Sequence, residues 1–139
     1  MKVSTKGRYA LRIMIDLAQN SDGGPVSLKE IANRQGVSAK YLELIVSTLN
    51  KAGFVKSTRG KAGGYRLARA AEEYSVGSIL KLTEGNLAPV ACLESGENSC
   101  IRAAECVALP MWQKLDGIID DYLEGVNLMD LINQEKGCL

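Results

Sequence analysis

The sequence has 139 residues, of which 46% are hydrophobic and 24% charged, and its formal net charge is +1. This length suits one compact domain, or one domain with an extension for dimerisation. No run of about 18 apolar residues occurs, so we expect no transmembrane span. The charged N-terminal segment does not have the order of a secretory signal. We therefore expect a cytoplasmic protein, in which clustered cysteines more often bind metal or react than form disulfides.

Charge is distributed unevenly between the two halves of the chain. Residues 1–69 contain 13 Lys and Arg against 4 Asp and Glu, a balance of +9, whereas residues 70–139 contain 4 against 12, a balance of −8. A solvated surface with uneven charge would give the same totals. A half this basic nevertheless favours a polyanionic partner, of which nucleic acid is the leading candidate.

Three helices are predicted in the first 53 residues. The first covers residues 6–20 and ends at the SDGGP segment, because glycine and proline interrupt a helix. Ser27 and Glu30 have the spacing of a capping box that starts a second helix, and Gly36 ends it. The apolar residues of the first helix recur at helical spacing: Tyr9, Ala10, Ile13, Met14, Leu17 and Ala18.

A helix-turn-helix is completed by the third helix. Ser38 is its predicted N-cap and Gly53 ends it. A short helix, a turn with glycine and a second helix form the motif whose second helix enters the major groove. The predicted buried stripe of this helix is Leu42, Ile45, Val46 and Leu49.

The segment FVKSTRGKAGGYRLA follows and predicts a glycine-rich hairpin with Arg59 and Lys61 near its tip. A plain surface loop is the alternative. Two cations at an exposed tip beside a helix-turn-helix favour contact with nucleic acid, so we predict a winged helix. The fold class is mainly α with a small β-hairpin wing.

Beyond the hairpin, residues 75–85 predict a short amphipathic helix, and Pro110 can open a long final one. Asn127 with Asp130 could start a last short helix. We divide the chain into a DNA-binding domain (1–85), a cysteine-rich loop (86–109), and a dimerisation helix with a tail (110–139). The long helix could pack only within its own chain, but a dimer is favoured because one helix-turn-helix reads a short half-site. Its apolar face is Met111, Leu115, Ile118, Ile119, Tyr122 and Leu123.

The predicted DNA contacts lie on three elements. Lys40 can reach a phosphate or a guanine edge, and Tyr41 can donate to a phosphate. Glu43 can accept from a cytosine amino group, although a solvated residue or a partner for Lys40 or Lys29 would explain it as well. Arg59 suits a narrow minor groove. The full predicted set is Ser38, Lys40, Tyr41 and Glu43 on the third helix, Arg59 and Lys61 on the wing, and Lys6 and Arg8 on the first helix.

Three of the four cysteines, Cys92, Cys100 and Cys106, fall within fifteen residues, and the chain has no histidine. Three buried thiols are not expected in a polar segment with glycine. Zinc sites use C-x₂₋₄-C pairs, and the gaps of seven and five residues here are wider. Iron–sulfur clusters tolerate wider loops and prefer thiolates. The spacing favours a cluster, and redox thiols or structural zinc remain alternatives.

The stretches MKVSTKGRYALRIMIDLA and SAKYLELIVSTLNKAGFVKSTRGKAGGYRLA, with the three-cysteine loop after APV, resemble the bacterial Rrf2 family of winged-helix regulators. The resemblance covers essentially the whole chain. It implies a homodimer that binds double-stranded promoter DNA. It also implies an iron–sulfur cluster, commonly 2Fe–2S, held by Cys92, Cys100 and Cys106. Glu43 matches a family glutamate that makes sequence selection depend on whether the cluster is present.

The resemblance leaves the fourth cluster ligand open. Cluster-sensing members often use a histidine three residues after the last cysteine, where this chain has Leu109. Nitric-oxide-sensing members can use an acidic residue of the partner's first helix, and the matching position here is Arg8. The spacing between the first two cysteines is also longer than the best-known family pattern. The remaining candidates are Glu94, Glu97, Glu105, Cys138 and a small exogenous ligand.

From these observations we expect a regulator whose promoter selectivity depends on its cluster, with cluster-assembly genes as targets. One alternative is a family member that senses nitric oxide or cysteine supply, although members of the second kind need no three-cysteine loop. Another is a DNA-binding protein with structural zinc or a thiol switch. We expect no enzyme, because no nucleophile–base pair can be assembled without histidine and KAGGY lacks the Walker spacing.

Overall fold

The computed structural model describes residues 2–95 and 100–134. Within these ranges the chain forms α-helices and one antiparallel hairpin, as the sequence predicts. Among the described residues, no helix combines the length and the apolar character that crossing a membrane requires. The main elements are α1 (Thr5–Gln19), α2 (Leu28–Gln35), α3 (Ala39–Lys51), β1 (Val55–Thr58), β2 (Gly64–Leu67), α4 (Val76–Glu84), α5 (Leu109–Glu124) and α6 (Leu128–Ile132). Short 3₁₀ turns occupy Ser21–Gly23, Ala71–Glu73, Ala91–Leu93 and Ala103–Glu105.

Serine side chains start four of the helices. The hydroxyls of Ser4, Ser27, Ser38 and Ser75 each accept a hydrogen bond from the backbone N–H three residues later. Such a cap contributes about 0.5–2 kcal/mol, because it satisfies an amide that the first helical turn leaves unpaired. The caps at Ser27, Ser38 and Ser75 confirm the predicted helix starts.

The predicted capping boxes differ in outcome. Ser27 accepts from the Glu30 amide, but within the described chain the Glu30 carboxylate does not return a bond to the Ser27 N–H. Asn127 and Asp130 form a complete box, with reciprocal bonds of 2.8 and 2.9 Å. The predicted span NLMDLINQ (127–134) is longer than the helix itself, which covers Leu128–Ile132.

The main core is built around α1, whose apolar stripe faces α3, α4 and α6. Leu128 of α6 is fully buried in this core, so the chain returns after α5 to pack on α1, within the part predicted to bind DNA (residues 1–85). The predicted domain boundary at residue 110 stays a prediction, since a residue beyond that boundary belongs to the same core as α1. Side chains with almost no exposure include Ile13, Met14 and Leu17 of α1, Ile31 of α2, Leu42, Ile45 and Leu49 of α3, and Ile79 of α4.

Strands β1 and β2 form the predicted wing. Val55 pairs with Leu67 at the base and Thr58 with Gly64 near the tip. A further antiparallel bridge joins Val26 and Tyr65 through two bonds of 2.8 Å, which ties β2 to the chain just before α2.

A buried tyrosine fixes the base of the wing. The Tyr74 hydroxyl accepts from the amides of Ala68 and Arg69, at 3.1 and 3.0 Å, and donates to the Phe54 carbonyl at 2.7 Å. Tyr74 is fully buried. Because one hydroxyl bonds to three backbone groups, it links the residue before β1 to the residues after β2.

Helix α5 is covered differently from α1 and α3. It packs on α4, and Pro110 lies in its first turn, as predicted. None of its residues is fully buried. Met111, Ile118 and Tyr122 are each more than half exposed, whereas Ile119 and Leu123 of the same predicted face pack against an apolar cluster of their own chain. Part of the face predicted for dimerisation is therefore open to solvent, and part is covered within the single chain.

Candidate nucleic-acid interface and cysteine segment

The recognition helix α3 has two distinct faces. Leu42, Ile45, Val46 and Leu49 are buried, as predicted. The residues on the opposite side, Lys40, Glu43, Leu44 and Ser47, are exposed. Ser38 also lies on the surface, where its hydroxyl caps the Tyr41 amide at 3.2 Å. The helix therefore presents its N-terminal residues outward while its other face anchors it to the core.

Tyr41 is not directed wholly to solvent. It is half-buried, and its ring meets Tyr9 of α1 edge-on, with ring centroids 5.7 Å apart. The Arg12 guanidinium lies 4.6 Å from the centre of the Tyr9 ring, on which it can stack. Arg12 also donates to the Gln35 side chain at 2.7 Å and to the Gln35 carbonyl at 3.1 Å. These contacts join α1, α2 and the start of α3.

A buried carboxylate reinforces the junction of α1 and α2. Asp16, which is 3% exposed, accepts two hydrogen bonds from Arg34, at 2.9 and 2.7 Å, and one from Gln35 at 3.1 Å. The hydrogen bond to Asp16 is the main reason that the pKa of Arg34 is raised. Only the Asp16 side of this ion pair is buried, so losing Arg34 would leave one buried carboxylate without its main donor, at a cost of about 1–3 kcal/mol. Sequence reasoning missed this network, although Asp16 lies on the buried face of α1 together with Ile13.

Glu43 lies exposed on α3. Across residues 2–95 and 100–134, no ion pair joins it to Lys40 or to Lys29. The interpretation of Glu43 as a salt-bridge partner therefore has no support in the described chain. Its carboxylate remains available to accept from a base edge.

The other predicted contacts are also on the surface. Arg59 and Lys61 are exposed at the wing tip, where Gly60 adopts φ 109° and accepts from the Gly63 amide at 3.0 Å. Only glycine takes that conformation without strain, so the sequence RGKAGG suits this tip. On α1, Lys6 and Arg8 are exposed, and Arg8 donates to the Thr5 hydroxyl at 3.3 Å.

We use the term cysteine segment for residues 86–109, of which 86–95 and 100–109 are described. Cys92 lies in the 3₁₀ turn Ala91–Leu93 and is half-buried. Cys100 is exposed, and Cys106 is half-buried directly after the 3₁₀ turn Ala103–Glu105. Among the described residues, no group of three or more Cys, Asp or Glu side chains lies close enough together to hold a metal ion.

The positions considered for a fourth ligand are spread over the segment and the start of α5. Leu109 is the first residue of α5 and has no ligating atom. Glu94 and Glu105 are exposed. Glu97 and Cys138 lie outside the described residues.

One contact joins the end of α4, just before the cysteine segment, to the start of α1. Glu84, the last residue of α4, accepts from the Ser4 amide at 3.0 Å and from the Ser4 hydroxyl. A Cβ at Gly7 would displace the Glu84 carboxylate, so glycine allows the side chain of Glu84 to approach α1 this closely. Leu87 then packs with Val76 and Leu80 in a second apolar cluster. The position of the segment is therefore coupled to the N-terminal cap of α1.

A second polar link connects α4 with α5. Lys81 bonds to Asp120 and, at 2.9 Å, to Glu124, whose other oxygen accepts from the Ser75 hydroxyl at 2.8 Å. Hydrogen bonds from Lys81 and then Ser75 lower the pKa of Glu124. The pKa of Lys81 is raised by its bonds to Asp120 and Glu124. The link helps fix the angle at which α5 leaves the DNA-binding part.

Comparison with known proteins identifies the family. A family model described as "Iron-dependent Transcriptional regulator" matches residues 3–134. The HTH-type transcriptional regulator IscR of Erwinia tasmaniensis is 37% identical over 136 residues, which cover 98% of this chain and 81% of that protein.

Solved structures give the same result. CymR, the global cysteine regulator of B. subtilis, is 40% identical with a TM-score of 0.79, over 94% of this chain and 95% of that one. T. potens IscR is 39% identical with a TM-score of 0.75, over 99% and 94%. These relatives are transcription regulators and not enzymes. The chain belongs to the Rrf2 family of winged-helix transcription regulators.

Proposed function

We propose that this chain is an IscR-like regulator that binds operator DNA through α3 and the wing. The basic balance of residues 1–69 supports this proposal, because phosphate contacts supply much of the affinity of DNA-binding proteins. The exposed face of α3 supplies side chains for base edges, and the wing tip supplies Arg59 and Lys61. Lys6 and Arg8 are proposed phosphate contacts, and Ser38 and Tyr41 complete the proposed surface.

The active form is proposed to be a homodimer. The open apolar face of α5 supports this, since three large side chains more than half exposed on one helix favour burial against another surface. A second copy presents the same face, and two-fold pairing places two recognition helices on two half-sites.

Cys92, Cys100 and Cys106 are the proposed ligands of an iron–sulfur cluster, most simply of the 2Fe–2S type. The donor set fits such a group, because three thiols lie in an accessible segment and thiolate is the ligand that these clusters prefer. When bound, a cluster would supply a redox-active group whose presence depends on iron supply and oxidants. The three thiols have to come closer together than in the described chain to bind it.

The route from the cysteine segment to DNA is proposed to run through α1. A shift of Cys92 would act on the end of α4, where Glu84 holds the Ser4 cap. Tyr9 of the same helix contacts Tyr41 at the start of α3. Helix α1 can therefore transmit a displacement of the segment to the residues beside Glu43. We propose that promoters of cluster-assembly genes are the targets.

The single observation that carries the sensor proposal is the set of three accessible thiols directly after the α4–α1 contact. The test is iron and sulfide content, with a visible absorption spectrum, on protein purified without oxygen. We expect matching iron and sulfide in wild type and their loss in Cys92→Ala. Ile101→Ala is the matched control, since this side chain is exposed in the same segment and cannot ligate iron. Iron-free wild-type protein that still binds DNA would contradict the sensor proposal.

A regulator of cysteine metabolism is the second candidate, because the structural likeness to CymR is as close as that to IscR. A thiol switch or structural zinc in the same segment belongs with this reading, and a nitric-oxide sensor is a further variant within the family. Metal analysis separates these cases. Zinc without sulfide would favour a structural site, and metal-free protein whose DNA affinity changes reversibly with thiol oxidation would favour a switch.

A further inference from the structure

Leu44 on the recognition helix is a large apolar side chain that is left in water. It is 68% exposed. Of the six large hydrophobic side chains exposed within residues 2–95 and 100–134, the other five lie at or after residue 101, in the cysteine segment and α5. The described DNA-binding part therefore covers its large apolar side chains with the exception of Leu44.

The position of Leu44 on α3 gives its exposure a meaning. Lys40 lies one turn before Leu44 and Ser47 one turn after it on the same side of α3, and Glu43, the preceding residue, is also exposed. The buried stripe that anchors the helix includes Leu42 and Ile45, on the other side. Leu44 thus contributes nothing to the core and sits within the polar surface that the proposed function directs at the major groove.

The major groove offers one apolar feature to such a side chain. Each base pair presents hydrogen-bond donors and acceptors, and thymine adds the C5-methyl group. An isobutyl group can neither donate nor accept, so a base with only polar edges would lose hydration against it without compensation. Apolar contact with a thymine methyl is the match that remains.

We propose that Leu44 is a specificity-determining residue that reads the methyl group of a thymine in the operator half-site. The inference rests on the proposed binding of DNA through α3. Glu43 and Leu44 both lie near the N-terminal end of α3, the part that a helix-turn-helix directs at base edges. The thymine therefore lies in the same half-site as the base that Glu43 is proposed to face. Glu43 supplies a polar preference and Leu44 an apolar one within that half-site.

The test uses an operator selected by the full-length wild-type protein from a random pool of 30-base-pair duplexes. Each thymine of the enriched duplex is then replaced singly by deoxyuridine, which removes the methyl group and leaves the hydrogen-bonding edge unchanged. Burial of one methyl group corresponds to roughly a fourfold change in affinity. We expect wild type to bind about fourfold more weakly at one thymine per half-site.

The decisive variant is Leu44→Ala. We expect it to bind the thymine and deoxyuridine duplexes equally at that position, with a Kd near that of wild type on deoxyuridine. Because Leu44 is exposed, its Tm should remain that of wild type. Lys40→Ala is the control on the same face, and it should weaken binding while keeping the fourfold thymine preference.

The outcomes separate the two proposals. An enriched operator with no position at which wild type distinguishes thymine from deoxyuridine overturns the inference alone. The same holds if Leu44→Ala retains the wild-type ratio. A pool in which no duplex is enriched overturns the proposed operator binding, and the inference with it.

Discussion

The DNA-binding part and helix α5 differ in how completely the chain covers its own apolar side chains. The stripes of α1 and α3 are buried to within about 1% exposure at Ile13, Leu17 and Leu49, whereas α5 has no fully buried residue. Helical stability in proteins comes mainly from packing an apolar face. The DNA-binding part therefore buries its apolar stripes within one chain, whereas α5 needs another surface to cover its exposed apolar side chains.

The largest expected effect on stability is in the DNA-binding part, where the apolar stripes are buried. Leu49→Ala removes a fully buried side chain from the contact of α3 with the core. We expect the free energy of unfolding to fall by about 2–5 kcal/mol, independently of protein concentration. Urea denaturation at two concentrations measures it. Thr48→Ala, one residue earlier and half-buried, should cost much less.

In α5, Ile118→Glu places a charge among the exposed apolar side chains. We expect sedimentation to show a monomer that remains folded, because Ile118 makes no part of the core. Operator affinity should fall by at least tenfold, since the second half-site no longer adds to the first. Gln113→Glu, exposed on the same helix, should leave the dimer intact. A dimeric Ile118→Glu protein would contradict the assignment of this face.

Tyr74→Phe tests a polar contact within the DNA-binding part. The change leaves the ring in place but removes the hydroxyl that serves Ala68, Arg69 and Phe54. The Ala68 amide and the Phe54 carbonyl keep their bond to each other at 3.2 Å, so the Arg69 amide is the group that loses its partner. We expect a loss of about 1 kcal/mol, with faster hydrogen exchange mainly at the Arg69 amide. Tyr122→Phe is the control, because Tyr122 is more than half exposed.

Glu43→Ala tests whether the two regions communicate. A well-placed contact with a base is worth about 1–3 kcal/mol of discrimination. We expect the ratio of affinities for two operator classes to move towards one, measured by fluorescence anisotropy with and without iron–sulfur loading. Asn50→Ala, exposed near the end of α3, should keep the ratio. An unchanged ratio in Glu43→Ala would argue against its selective role.

The smallest effect is expected at the polar link between α4 and α5. The pKa of Glu124 is lowered by bonds from Lys81 and Ser75, so its stabilisation is present above its unfolded pKa and is lost as pH falls through the folded value. Both side chains of the ion pair are more than a third exposed, which limits the contribution to about 0.2–1 kcal/mol. Glu124→Gln should therefore be slightly less stable than wild type at pH 7. The difference should vanish at a pH well below about 4.

The local signals in the sequence were sufficient for most of the fold. Ser27, Ser38 and Ser75 start helices as predicted, and Gly36 adopts the left-handed conformation of a C-cap. These features depend on neighbours within four residues, which is why spacing alone finds them. The helix bounds differed from the predicted ones by a residue or two, because helix ends also depend on tertiary contacts that local spacing does not report.

Contacts between distant parts of the chain were not predictable in this way. Asp16 meets Arg34 across 18 residues and Glu84 meets Ser4 across 80, and no local pattern identifies such partners. Arg12 likewise meets Gln35, 23 residues away, as well as Tyr9 on its own helix. Cys92, Cys100 and Cys106 show a further reason, because side chains proposed to share a ligand need not lie close together without it.

The bridge between Val26 and Tyr65 has a mechanical consequence for the wing. Strand β2 is held on one side by β1 and on the other by the residue that precedes the cap of α2. Because the base of the hairpin is attached on both sides, we expect it to move together with the start of α2. Adjustment of the wing to grooves of different width is then left to residues 59–63 at the tip, and a tilt of the whole hairpin would have to move α2 as well.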